Sequence, residues 1–375
     1  MKIGVVGGGP AGLYFALLMK KQNPTHAVRV MEQNSADATY GWGVVFSDRA
    51  LSYLQASDPD SYHALGRRLQ TWDDQAIVHK EQPIRIDGLG FSGIGRLELL
   101  RVLQGRCRGL GVDLQFDTGV TDLARLRDCD LIVGADGLNS IVRETYRAAF
   151  RPSVEILSNR YVWYGTPQVF DCLTLTFREH RDGVFVAHHY RYGPAASTFI
   201  VECDVETWAT AGLAGMADDE RRRYCESVFR RELGGHPLLA NRSPWLNFKV
   251  VTNERWHHGN VVLIGDALRT VHFSIGSGTR MALEDAIALA RACAATPDVG
   301  AALREFERAR RPSVEKLLRV AAHSGVWYER MREKLRLAPV PFAYDYLMRG
   351  GTLSHDRLRE RSPRFAALHA ATMTT

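Results

Sequence analysis

The chain has no metal-ligand signature. Its six cysteines (Cys107, Cys129, Cys172, Cys203, Cys225 and Cys293) are scattered, with no C-x-x-C and no Cys/His pair at ligand spacing. That argues against a zinc site and against a disulfide framework, so no metal is expected. No apolar run approaches the roughly 20 residues that a membrane-crossing helix requires. The apolar start "MKIGVVGGGPAG" is soon broken by glycines, so neither a membrane span nor a signal peptide is expected and the cytoplasm is the default location. Internal repeats, low-complexity tracts and flexible linkers are also missing. Although the net charge is +6, the basic clusters "RRRY" (Arg221 to Tyr224) and "RARRP" (Arg308 to Pro312) have acids close by. Dispersed charge of this kind is a poor nucleic-acid footprint and a better match for a phosphorylated small ligand. What remains is ordinary globular material, 45% hydrophobic and 24% charged over 375 residues, enough for two domains and a buried site.

Strand, glycine turn and helix follow one another in "KIGVVGGGPAGLYFALLMKK", and "AVRVMEQN" supplies a second strand. "GIGRLELLRVLQGRCRGLGVDLQF" predicts a helix that ends near Gly109 or Gly111 and runs into a strand, and "CDLIVGADGLNSIVRETY" repeats the strand, loop, helix order. From about Val154 to Val251 the texture changes to alternating β-branched and aromatic residues, with a further sheet fragment at "AIVHKEQPIRI" (Ala76 to Ile86). The pattern predicts an α/β fold: a Rossmann-like nucleotide domain (1-65, 93-152 and 255-310), an inserted β-sheet substrate domain (66-92 and 153-254), and a C-terminal helical region (311-375).

Gly7, Gly9 and Gly12 form G-x-G-x-x-G between strand and helix, and Glu32 ends the second strand twenty residues after Gly12. The glycines allow a tight turn and close approach of a pyrophosphate to a helix N-terminus, and an acid at the Glu32 position can hold ribose hydroxyls. A nicotinamide nucleotide is expected to dock only transiently.

Two later loops decide which dinucleotide. "GADGLNSIVR" (Gly134 to Arg143) and "GDALRTVHFSIGSG" (Gly265 to Gly278), in this order after the N-terminal fingerprint, resemble the flavoprotein aromatic monooxygenases, the single-component FAD hydroxylases. The resemblance implies FAD, with the carboxylate matching Asp266 on the ribityl chain and the loop matching Gly276 to Gly278 beside the flavin. It also implies that Gly43 and Val44 of "GWGVVFS" lie near the isoalloxazine and that Arg96 points toward the FAD phosphates or ribose, with Pro10, Ala11, Gln33 and Asp136 in the same cofactor set. Most relatives carry Ala-His after the Gly-Asp and a proline pair before the glycine loop, whereas this chain has Leu268, Arg269, His272 and Phe273. His272 stays open between a loop histidine and a site residue.

The segments "GFSGIGR", "STFIVEC", "ELGGH", "HFSIGSGT" and "LSHDRLRERSPRF" are similar to the salicylyl-CoA 5-hydroxylases and the monooxygenase part of 2-aminobenzoyl-CoA monooxygenase/reductase. "GWGVV", "WYGT" and "HFSIG" are shared with the tryptophan hydroxylase of violacein synthesis as well. The implied activity is hydroxylation of an electron-rich ring through a C4a-hydroperoxyflavin, with NADH or NADPH as electron donor and O₂ as co-substrate. The expected partner is a small aromatic molecule, probed first as an aryl-CoA thioester, with no nucleic acid and no membrane. A tryptophan or indole hydroxylase and a flavin-linked dehydrogenase or reductase are the alternatives. Side chains that assist the ring's donor group are sought on the inserted sheet, where "VAHHYRY" offers His188 and Tyr190 on one face and "VWYGT" offers Trp163 and Tyr164, with His188, Tyr190 and Tyr164 as the candidates. The same strands also read as a half-buried sheet with one solvated polar face.

Overall fold

The computed structural model describes residues 1–373. Its first sheet has six strands in the order His257–His258, Val261–Leu263, Leu131–Gly134, Lys2–Val6, Ala27–Met31 and Asp113–Gln115. All neighbours are parallel except the short first pair. Strand residues such as Val5, Val133 and Leu263 are fully buried because helices cover the sheet. Three of those helices, Pro10–Gln22, Arg96–Gly109 and Gly278–Ala295, pack around a common apolar cluster.

The second sheet has seven strands in the order Leu246–Asn253, Pro152–Thr166, Ala196–Cys203, Gly183–Gly193, Leu173–His180, Gln75–His79 and Gln82–Ile86. It is antiparallel apart from Leu173–His180 against Gln75–His79. The fragment read from Ala76 to Ile86 is a hairpin whose two-residue turn, Lys80 and Glu81, takes positive φ at both positions, the twist a tight hairpin needs. One face of this sheet buries Phe199, Phe229 and Trp245 under short helices. On the other face, C-terminal helices pack Trp327, Tyr328 and Phe342 onto Phe177. A small three-stranded sheet, Gly43–Ser47, Phe91–Gly95 and Gln70–Trp72, packs against strand Gly183–Gly193 of the second sheet and touches helix Arg96–Gly109.

One boundary needs correction. The division drawn at 310/311 falls inside a single helix, Val299–Glu329, with Pro312 in its interior. Pro312 is exposed, and the helix continues past it because its buried residues hold both ends. Phe306 packs on Trp256 of the first unit, and Trp327 on Phe177 of the second. No described helix is long and apolar enough to cross a membrane.

Candidate active site

Steric exclusion builds the glycine turn. Gly7 has φ +106°, and a Cβ there would lie 2.3 Å from the Ala135 carbonyl oxygen. A Cβ on Gly12 would lie 2.1 Å from the Gly7 oxygen, so the turn closes only with glycine at both positions. Gly9 is different, because a Cβ there would meet nothing within 4 Å. Its bare backbone faces open space at the N-terminus of Pro10–Gln22, where Pro10 and Ala11 form the first turn and free N–H groups favour an anion. Beside it, Glu32 accepts from the Gly8 amide at 2.7 Å and from the Asn34 amide at 2.9 Å. Its remaining lone pairs suit ribose hydroxyls. Gln33 is exposed just beyond.

The later loops close the cradle from the other side. Asp285, fully buried, accepts from the Gly265 amide at 3.0 Å and pairs with Arg269 at 2.7 Å and Arg310 at 3.0 Å. Arg269 also donates to the Gly265 carbonyl at 2.8 Å. This residue, a departure from the relatives' pattern, therefore braces the turn that presents Asp266. Arg143 ties the Gly134–Arg143 loop to it by donating to the Ala267 carbonyl at 3.0 Å. Asp136 is occupied within its own loop, accepting from Ser140 at 2.6 Å and from the Val142 amide at 3.1 Å. His272 is similarly committed: its Nδ1 meets the Ser274 hydroxyl at 2.8 Å and caps the turn Phe273–Ile275. Burial holds its pKa down at about 4.

Between the two large sheets lies a cavity of about 660 Å³, lined by Gly43, Val44, Arg96, Asp266, Gly276 and Gly278 at one end. Asp266 opens onto the cavity yet sits deep in the molecule. Desolvation raises its carboxyl above the usual range, and Arg269 and Arg96 oppose that rise. The Arg96 Nε is buried without a partner among the described residues, and burial lowers its pKa. A buried guanidinium N–H without an acceptor is costly even with Asp266 and Glu32 near enough to favour its charge, and phosphate or ribityl oxygens would satisfy it. The open face of Gly9, the orphaned Arg96 and the carboxylates of Glu32 and Asp266 together fit FAD.

At the other end the wall comes from the second sheet. His188, Tyr190 and Ile200 face the cavity, with Tyr161 and Trp163 beside them. Tyr164 does not face it. Strand alternation turns Tyr164 and Val162 into the opposite core, so the aromatic residues that strand gives to the cavity are its sequence neighbours. The Tyr190 hydroxyl donates to the Gly43 carbonyl at 2.8 Å, so it anchors the flavin-side strand to the sheet.

His188 is the more exposed chemically. Its Nε2 lies 3.8 Å from Oε2 of Glu202, and both atoms are buried without hydrogen-bond partners. With Nε2 turned inward, Nδ1 is the ring nitrogen left to address the cavity. Burial holds the imidazole neutral, with a pKa of about 3, and raises the Glu202 carboxyl, which His272 and the 2.8 Å hydrogen bond from Asn159 partly offset. Glu202 went unnoticed in the sequence. Its signal was a lone acid in the apolar strand "STFIVEC", two residues from Ile200 and so on the same face.

Comparison with known proteins agrees with this geometry. The FAD binding domain family matches residues 111–321. A salicyloyl-CoA 5-hydroxylase of a Streptomyces species is 42% identical over 93% of this chain and 70% of its own length. A protodeoxyviolaceinate monooxygenase of Chromobacterium violaceum is 38% identical, covering 92% of this chain and 94% of its own. The crystal structure of 2-methyl-3-hydroxypyridine-5-carboxylic acid oxygenase covers 96% of both chains with a TM-score of 0.73 at 18% identity, a likeness of fold.

Proposed function

This chain belongs to the FAD-dependent aromatic monooxygenases, and on that premise we propose that it hydroxylates a benzoyl-type ring carried as a CoA thioester, para to a hydroxyl or amino donor. Bound FAD, reduced by NAD(P)H, activates O₂ and supplies one oxygen atom to the ring. The protein's own share is to hold the cofactor, orient the ring, exclude water and move one proton. With FAD bound, Gly9 and the helix behind it would face the pyrophosphate, Arg96 would add positive charge, and Glu32 and Asp266 would take ribose and ribityl hydroxyls. Tyr161, Trp163, Ile200, Phe248 and Phe273 give the substrate end an apolar wall.

The observation that carries this reading is the His188–Glu202 pair in that wall. A ring hydroxyl is activated when it loses its proton, because electron density at the para carbon then rises, whereas a ring amine donates through its lone pair without ionising. His188 Nδ1 accepts the donor's proton while the Nε2 proton passes to Glu202 Oε2. Negative charge moves from the carboxylate to the ring oxygen, and no net charge is created in a site that solvates charge poorly. The thioester is supported by the similarity to the salicyloyl-CoA 5-hydroxylase.

The test compares salicylyl-CoA, free salicylate and tryptophan as stimulators of NAD(P)H oxidation, with products identified by mass. The CoA ester should be preferred and gain one oxygen at the 5-position. Hydroxylation of tryptophan or an indole with an inert thioester would favour the reading suggested by the violacein-pathway relative. Equal use of salicylate and its thioester would remove CoA from the proposal.

A further inference from the structure

A second cavity, of about 670 Å³, adjoins the first and shares Val320 and Thr352 with it. The same three elements line both. Helix Gly278–Ala295 gives Thr279 to the inner cavity and Arg280 to the outer one, and the long helix gives Ser324 and Val320 inside and Lys316, one turn from Val320, outside. The segment after Met348 passes from Gly350 inside to Leu353 outside. The partition is thin: Gly350 lies so close to the long helix that a Cβ on it would be 2.9 Å from Val320 Cγ1, and Gly351 turns away with φ +67°.

The two cavities differ in charge. Four cations, Arg280, Lys316, Arg357 and Arg361, line the outer one against the single acid Glu360. Arg280 is paired with Glu284 at 2.7 Å, but among the described residues the Lys316 ammonium and the Arg357 guanidinium have no ion-pair partner. Leu317 and Leu353 add apolar surface between them. Unneutralised cations around an apolar patch, one thin wall from a cavity for an aromatic ring, suit a ligand with phosphates and a flat base at one end and a ring at the other. We propose that this outer cleft binds the 3′-phosphoadenosine diphosphate end of a CoA thioester, whose arm passes by Val320 and Thr352 into the inner cavity. The proposal rests on the aryl-CoA reading above.

Lys316 and Arg357 are exposed, so reversing their charge leaves the core intact. The double variant Lys316→Glu/Arg357→Glu is compared with the wild-type holoenzyme in two measurements. Calorimetry with CoA itself as probe should show at least tenfold weaker binding in the variant. With salicylyl-CoA and salicylyl-pantetheine as paired substrates, the preference for the CoA ester, as a ratio of kcat/KM, should fall at least tenfold, whereas a general loss of structure would lower both alike. Wild-type turnover of salicylyl-CoA with neither quantity changed in the variant would overturn the cleft assignment and leave the substrate reading standing. A rise in KM for NAD(P)H in place of the CoA ester would overturn it too, as would a preference for the aryl group on a carrier protein over CoA. Wild-type failure to hydroxylate any CoA thioester, despite tight CoA binding in the cleft, would strike the substrate reading instead.

Discussion

Replacing His188 by glutamine removes the proton acceptor from the cavity wall and keeps a polar side chain of similar reach. His188 is the only imidazole among the described residues that line the cavity, and Glu202 behind it has no other buried partner than Asn159 and the histidines. Loss of a positioned general base costs about 10² to 10⁴ in rate. That corresponds to about 2.7 to 5.4 kcal/mol in the barrier at 1.36 kcal/mol per decade. The step is read by single-turnover quenching of the reduced enzyme with O₂ and substrate, so that product release does not mask it. Glu202→Gln keeps the contact with Asn159 but cannot take the proton, and should fall at the lower end of that range, about 10²-fold. The pH dependence has a definite sign. Burial raises the Glu202 carboxyl, so it keeps its proton to a higher pH than an exposed glutamate does. The relay needs the carboxylate, so the wild-type rate should rise with pH through an acid limb lying above the ordinary glutamate range, and Glu202→Gln should lack that limb. In His188→Gln only solvent can deprotonate the ring, and the rate should climb toward the donor's own ionisation, about pH 10 for a phenol. Hydroxylation within threefold of wild type in both variants, with unchanged pH profiles and full FAD content, would refute the relay.

Glu32→Ala should weaken FAD binding by about 10- to 150-fold, the equivalent of roughly 1.5 to 3 kcal/mol for a charge-assisted hydrogen bond, and fluorescence titration with FAD measures it; wild-type affinity would remove Glu32 from the site. Asp285→Asn leaves Arg269 and Arg310 without their shared carboxylate and should cost about 3 to 5 kcal/mol in thermal unfolding, together with lower FAD retention. His189 lies stacked on Phe199, with Thr176 on its Nε2 at 3.0 Å, and burial depresses its pKa to about 3. The folded form therefore stays neutral while the unfolded chain protonates below about 6.5, so its share of stability is lost as pH falls from there toward 3. Between pH 7.5 and 5 the wild type should lose about 2 kcal/mol more than His189→Gln in urea titrations, and a constant difference would refute the linkage. Finally, NAD(P)H oxidation should be slow alone and much faster with the correct ring; rapid reduction regardless of ligand, followed by stopped flow, would count against substrate control.

The parts of this protein that could be read from the sequence are those whose physics is local. A pyrophosphate turn needs glycine where a Cβ would strike Ala135 or Gly7 itself, and that requirement leaves Gly7 and Gly12 at a spacing visible without coordinates, with Gly9 bare between them where the backbone faces open space. The Rossmann-like start and the helix ending at Gly109 belong to the same class, as contacts a few residues apart determine them. Alternation separated His188 from His189, but it carries no label for which face meets the cavity. It therefore does not tell Tyr164, which turns into the opposite core, from Tyr161 and Trp163, which line the cavity. What only the tertiary structure decided is the pairing of distant charges: Asp285 with Arg269 and Arg310, His188 with Glu202, and the meeting of Arg280, Lys316 and Arg357 around one cleft. Each isolated side chain looks like ordinary surface or ordinary strand in the sequence. Its energy depends on how far water is excluded and on which opposite charge the fold brings within a few ångströms, and neither quantity exists until the two sheets and the long helix have packed.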